Sequence, residues 1–420
     1  PYLYDYMSLI SEKVLKFYHD YDSTLNSEGI LSRGQVSGAP CDLISGYAAL
    51  DIPEGESMLF EPEFCAIPAS AALLSGKKYV TSETFTCLYG WPRDYIRQEQ
   101  TADLKLVADA LFANGINQII WHGKAHNPKD LDTVNFYATT HIGNDCQFAD
   151  EILPFNNYLE KVSEYMKKGK TYSDIAVYLP TEDAWSKGVM PKNLQFKWAW
   201  GYYEMRYVYF PKELSGFNPS WINYEFLEKA KVRDGNLLVG SNEFNFLYLD
   251  AKYLDYKLIN KLNELAEQGL KIIMKQLPGN PSAVSFQDYQ DKVVELMKNK
   301  NVLRNLPHNI KPFLTGDEIP KHWCRIDDNT LYIFLPNPKA DQLKFPMEYG
   351  QSLCDETIIK DINISYKNEI YNVTLEFKPY QSLMYKIEDG KITQLNIEFI
   401  PKTPTVKKRP DGYEAPWLVK

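Results

Sequence analysis

The sequence predicts an α/β fold that gives way to an all-β one, and three observations predict it. Helix-like and strand-like segments alternate between residues 8 and 122. A second alternation starts at "DIAVYLP" (174–180). From about residue 311 short segments with two-residue apolar alternation take over. A chain of 420 residues has room for two or three such domains.

The first region opens on a predicted helix over 8–21, where Ile10, Val14 and Phe17 recur at helical spacing. A polar turn, "STLNSEG", leads to a short strand, "ILSRGQV". Residues 41–76 read as irregular, because Pro53, Pro62 and Pro68 interrupt any long helix, apart from a short helix over about 68–74 that stops at Gly76. The strand at "KYVTSETF" follows, then a loop with Trp91 and Arg93. Thr101 is the expected N-cap of the clearest helix, whose apolar face is Leu104, Val107, Ala108 and Leu111 and whose end is marked by Gly115. "NQIIWH" (117–122) is the next strand. Parallel strands with crossover helices are the expected arrangement, and each strand ends in polar residues: Arg33 and Gln35, then Glu83, then His122. Three strands do not close a barrel of eight.

A helix at about 155–168 ends at Gly169, and the second α/β unit continues through "FLYLD" (246–250), a helix near 256–268 and "LKIIM" (270–274). It reads as a small doubly wound domain without a G-x-G-x-x-G or P-loop pattern, so neither a nucleotide nor a redox cofactor is expected there. "TLYIFLPNP", "YNVTLEF" and "SLMYKI" then read as strands, with "EDGK" (388–391) as a turn, and a β-sandwich fits them.

Composition narrows the function classes. Hydrophobic residues make up 44% and aromatic ones 14%, including 30 Tyr and 8 Trp, which suits aromatic clefts that stack on sugar faces. The net charge is −9 and no basic stripe stands out, which argues against a nucleic-acid partner. No apolar run approaches the roughly 18 residues of a membrane span. The six cysteines, at 41, 65, 87, 146, 324 and 354, show no C-x-x-C pair and are expected as buried free thiols.

Acids at strand ends are the candidate chemistry. Glu83 stands where an apolar run stops, and Glu54 and Glu56 lie in "DIPEGES", where Pro53 and Gly55 are expected to form a displayed loop. Glycoside hydrolysis needs two carboxyls flanking the scissile bond, one donating a proton and the other serving as base or nucleophile. Solvated surface acids are the bland alternative. His122 and His126 are spaced for zinc on a helix, but Gly123 and Pro128 argue for a loop and for hydrogen bonds to ligand hydroxyls. Arg33, Gln35, Trp91 and Arg93 are further rim candidates.

The ordered segments "LSRGQVSGAPCDLISGYAALDIPEGES", "SAALLSGKKYVTSETFT", "ADLKLVADALFANGINQIIWHGKAHNP" and "DIAVYLPTEDAW" resemble glycoside hydrolase family 106, the α-L-rhamnosidases. "YGQS" and "FKPYQSLMYKI" resemble that family's closing β-domain. The resemblance implies that residues 1–170 are the C-terminal part of a (β/α)8 barrel, 171–310 a doubly wound accessory domain and 311–420 a β-sandwich. It implies inverting hydrolysis of α-L-rhamnosyl linkages in plant or microbial glycans, in a periplasmic or secreted enzyme, with calcium near the sugar. Glu83 of "TSETF" would be the catalytic base, Glu54 or Glu56 a second active-site glutamate, and His122 a sugar contact. A further glutamate, the general acid, would lie before Pro1. Two other readings compete: a retaining β-galactosidase of the family 42 type, and a non-catalytic glycan-binding protein.

Overall fold

The computed structural model describes residues 1–57, 61–90, 95, 97–124, 140–186, 209–308, 310–344 and 346–408. It is a mixed α/β structure in which one buried cluster joins the first and second regions and another joins the first and the last. Helix α1 (Tyr2–Ser27) is longer than its apolar spacing predicts, and only Tyr4 and Ser11 on it are buried. The "STLNS" turn is its solvated last turn, in which Thr24 and Ser27 hydroxyls donate to carbonyls one turn back.

Four parallel strands follow in spatial order: β1 (Arg33–Gln35), β2 (Ile52–Glu56), β3 (Thr81–Thr84) and β4 (Gln118–Trp121). Their crossovers carry α2 (Leu43–Ala48), α3 (Ala66–Ser75) and α4 (Thr101–Phe112). β2 corrects the sequence reading. Ile52–Glu56 is a strand rather than a displayed loop, and Glu54 and Glu56 are 7% and 4% exposed. Pro53 is tolerated and Gly55 is required by packing: a Cβ at Gly55 would lie 2.8 Å from the sulfur of buried Cys65. The N-cap of α4 is likewise Gln100 rather than Thr101.

Helix α3, "AIPASAALLS", has no polar face because it has no solvent face. It lies between β2 and a second sheet, where the Ser70 hydroxyl accepts from the Trp221 amide at 2.9 Å. That sheet has five parallel strands in the order β13-β12-β11-β6-β7: Val302–Leu303, Ile272–Met274, Phe246–Leu249, Ile175–Tyr178 and Pro219–Ile222. Every residue of β6, β11 and β12 is buried. Between β7 and β11 a small antiparallel sheet holds β8 (Lys231–Arg233), β9 (Asn236–Val239) and β10 (Asn242–Phe244).

The last region is two facing antiparallel sheets. One contains β14 (Leu314–Gly316), β17 (Ile358–Tyr366) and β18 (Glu369–Phe377). The other contains β15 (Trp323–Asp327), β16 (Thr330–Leu335), β19 (Leu383–Glu388) and β20 (Lys391–Leu395), edged by β5 (Lys170–Thr171) from before the second sheet. Leu331, Ile333, Leu383 and Ile387 meet Ile362, Ile364, Leu375 and Phe377 between the sheets. The "EDGK" turn is present, with Asp389 and Gly390 both at positive φ as a two-residue hairpin requires.

Helix α4 ties this region to the first. The sequence predicts one apolar face, yet all twelve residues are buried. Its Asp103 accepts from the backbone amides of Gly350 and Ser352, and its Asp109 accepts from the Ser382 hydroxyl and pairs with Lys105. Buried charges of this kind are retained only when such partners are present. All six cysteines are free and buried, as expected.

Candidate functional site at the strand ends

Period-two alternation puts Arg33 and Gln35, Glu54 and Glu56, and Thr81 and Glu83 on one face of the first sheet. The opposite face carries α3, through Gly55. Side chains on the open face bond across strands. The Arg33 Nε is 3.2 Å from Glu54 Oε2, which also accepts from the Thr81 hydroxyl at 2.8 Å. The Gln35 amide donates to Glu83 Oε2 at 2.9 Å and to Glu54 Oε1 at 3.5 Å, bridging the two acids. Glu56 is in register with Glu83 on the adjacent strand.

Glu83 is the best-held group. Its Oε1 accepts from the Thr86 hydroxyl at 2.7 Å and lies 3.0 Å from His122 Nδ1. Thr86 Oγ1 and His122 Nδ1 are themselves 2.8 Å apart. With the threonine proton given to Glu83, the contacts are satisfied when Nδ1 carries a proton. The His122 bond first, then those of Thr86 and Gln35, hold the Glu83 carboxyl at about 2 against the opposing effect of burial. Its side chain remains 30% exposed, so the ionised group faces solvent.

Sequence reasoning missed Thr86. The chain turns sharply after β3, with Phe85 at φ 77° and Cys87 at φ 50° on either side of Thr86. Two non-glycine residues in the left-handed region cost on the order of 1–3 kcal/mol each. Burial of the Phe85 ring against Trp121, 4.6 Å between centroids, opposes that cost. "TFTC" contains no glycine that would announce such a turn.

Arg33, Gln35, Glu54, Glu56, Glu83 and His122 thus gather at one place, while Trp91, Arg93 and His126 lie outside the described residues. Among the described residues no group of three or more His, Cys, Asp or Glu side chains converges as a metal ion needs. Glu54 and Glu83 are engaged by Arg33, Thr81, Gln35, Thr86 and His122. Among the described residues no helix is long and apolar enough to cross a membrane.

The profile of glycoside hydrolase 106, alpha-L-rhamnosidase, matches residues 63–306. A protein of Formosa agariphila named "Putative beta-glucuronidase" is 21% identical over 357 residues, covering 81% of this chain and 28% of its own length. The rhamnosidase from Novosphingobium sp. PP1Y has a similar fold, with a TM-score of 0.64 at 14% identity, covering 94% of this chain and 39% of that one. A beta-galactosidase from Bacillus circulans sp. alkalophilus follows at TM-score 0.54 and 9% identity, covering 90% of this chain and 66% of that one. The chain therefore spans well under half the length of the first two.

Proposed function

This chain belongs to the glycoside hydrolase 106 family, alpha-L-rhamnosidase, and from that premise we propose that it carries the base side of an inverting α-L-rhamnosidase site. One observation supports this reading above the rest: Glu83, ionised and partly exposed at a strand end, is oriented by donors from three separate elements. A solvated surface acid has no need of Gln35, Thr86 and His122 together.

In the proposed reaction Glu83 takes a proton from water as the water oxygen attacks the anomeric carbon and the bond to the leaving oxygen breaks. The leaving oxygen takes its proton from a second carboxylic acid, which the family pattern puts on an earlier strand of a (β/α)8 barrel. Held at about 2, the Glu83 carboxylate is a weak base in the open site. A sugar closing over it removes water, which raises its proton affinity toward what proton abstraction requires. Glu54, neutralised by Arg33, shapes the wall beside it, with Glu56 next in line on β2. The proposed domain order is barrel, doubly wound domain and β-sandwich, and the proposed setting is periplasmic or secreted, with a plant or microbial glycan as substrate.

Rhamnose release from an aryl α-L-rhamnoside tests this, measured for the chain and for a form extended upstream, each with Glu83 and with Glu83→Gln. The substitution is expected to lower turnover by about 10²-fold or more. Near-normal turnover of the variant would refute the base assignment.

The beta-glucuronidase name of the Formosa relative and the guanidinium of Arg33 at the rim favour a second reading, a uronic-acid substrate. Release from an aryl β-glucuronide but not from the rhamnoside would select it.

A further inference from the structure

Past its last strand the chain runs back over the first region. Residues 396–406 belong to no strand, yet Ile397, Pro401 and Pro404 are buried. Three successive contacts fix the segment. Phe399 stacks on Phe155 of helix α5 (Ile152–Met166), with 5.5 Å between centroids. The Lys402 amide donates to Glu151, just before that helix, at 2.8 Å. The Gln100 side chain then holds Thr405 twice: its Oε1 accepts from the Thr405 amide at 2.6 Å, and its Nε2 donates to the Thr405 carbonyl at 3.0 Å. One side chain thus makes the pair of bonds that a neighbouring strand would make. Gln100 is the N-cap of α4, and α5 follows β4, so the segment crosses the starts of two crossovers. That is the end of the sheet where Glu83 stands.

Beyond Thr405 the segment reaches the connection that leaves β3. The Lys407 amide donates to the Tyr349 carbonyl at 3.0 Å, and the Tyr349 hydroxyl donates to the Gln98 carbonyl at 2.8 Å. The Tyr95 and Tyr349 rings stack at 4.4 Å, with Lys407 Nζ 5.0 and 4.9 Å from their centroids. Gly350 allows the close approach, because a Cβ there would overlap the Thr405 carbonyl oxygen. Tyr95 and Arg97 stand at φ 60° and 61°. Non-glycine residues persist in that region only where their surroundings over-determine them. The bonds continue inward: Glu99 accepts from the His141 amide at 3.4 Å, and the Thr140 amide donates to the His122 carbonyl at 3.1 Å.

We infer that residues 399–407 are a strap that positions the end of the β3–α4 connection, Tyr95 and Arg97–Gln100, at the rim of the site. Gln100 is the positioning residue through which the strap acts. A sugar over Glu83 borders this connection, which leaves β3 at Thr84. Each state in which the connection is loose lowers the fraction of molecules ready to bind, and apparent affinity falls by that fraction. The consequence for substrate rests on the glycosidase reading; the strap itself rests on the contacts alone.

Thr405→Pro tests this, because at an exposed position it deletes the amide that Gln100 accepts from. Thr405→Ala keeps that amide and is the control. Gln100→Ala removes both bonds from the other side, and α4 has no side-chain cap bond there to lose. In the 420-residue chain the amides of Gln98, Gln100 and Lys407 are hydrogen-bonded. Their hydrogen exchange is expected to quicken about tenfold or more in Thr405→Pro and in Gln100→Ala, while that of β6 and β11 stays unchanged. In whichever form releases rhamnose, this chain or the one extended upstream, KM is expected to rise about threefold or more with kcat unchanged. Exchange that quickens in neither variant would overturn the strap, as would equal quickening in Thr405→Ala. Quickened exchange with an unchanged KM would overturn the positioning role. Release by neither form would sink the glycosidase reading and the positioning role with it, while the exchange comparison still decides the strap.

Discussion

Two parallel sheets of this chain share a connection pattern and differ in what they do with their faces. In the five-stranded sheet β6, β11 and β12 are buried at every position, as expected when helices cover both sides. In the four-stranded sheet β1 and β4 have no fully buried residue, and one face is a lattice of Arg, Gln, Glu and Thr bonded across strands. The first kind of face is held by the hydrophobic effect. The second is held by paired charges and hydrogen bonds, which stabilise less and orient more. The comparison teaches where to look for chemistry in a parallel sheet: on the face that departs from the apolar run.

The largest expected effect lies in the apolar sheet. Leu247, fully buried on the strand flanked by β6 and β12, should cost about 2–5 kcal/mol as Leu247→Ala, read from urea unfolding. A loss under about 1 kcal/mol would break the contrast between the sheets. Gly55→Ala probes the back of the polar sheet. With its new Cβ 2.8 Å from Cys65 Sγ, it should cost about 1–3 kcal/mol. Adding Cys65→Ala should restore part of that loss if the sulfur is the obstacle, and unfolding of the single and double variants checks it.

The smallest effect is electrostatic. Glu83 titrates near 2 rather than near the ordinary 4.5, chiefly because of His122. A depressed carboxylate contributes stability above its unfolded value, and that contribution is lost as pH falls from about 4.5 toward 2. In His122→Ala the side-chain carboxyl resonance of Glu83 should titrate upward toward 4.5, and the pH window of stability loss should narrow. An unchanged midpoint would mean that Thr86 and Gln35 suffice, and would sharpen the account of the site to those two.

How far these features were legible depended on whether the determining contacts were local. The buried strands "IAVY", "FLYL" and "IIM", the hairpin at "EDGK" and the helix stop at Gly76 follow from runs, spacing and turn chemistry within a few residues. Glu83 and His122 were visible as polar ends of apolar strands. β2 was hidden because Pro53 and Gly55 carry loop signals, and only the close approach of Cys65 shows why the glycine belongs in a strand. Thr86 was hidden because its direction comes from the burial of a neighbouring ring. The polar side of α4 resembled a solvent face until its partners at Gly350, Ser352 and Ser382, more than 240 residues away, were in place.

By itself, then, the sequence determined the alternation of elements, the family and the residue types at the strand ends, because periodicity and local turn preference act over short stretches. Tertiary structure decided which acids meet, which of them is held ionised and which connection residues 399–407 cross. Those outcomes depend on which distant side chains satisfy or leave unsatisfied a buried charge or hydrogen bond, and chain order carries no such information.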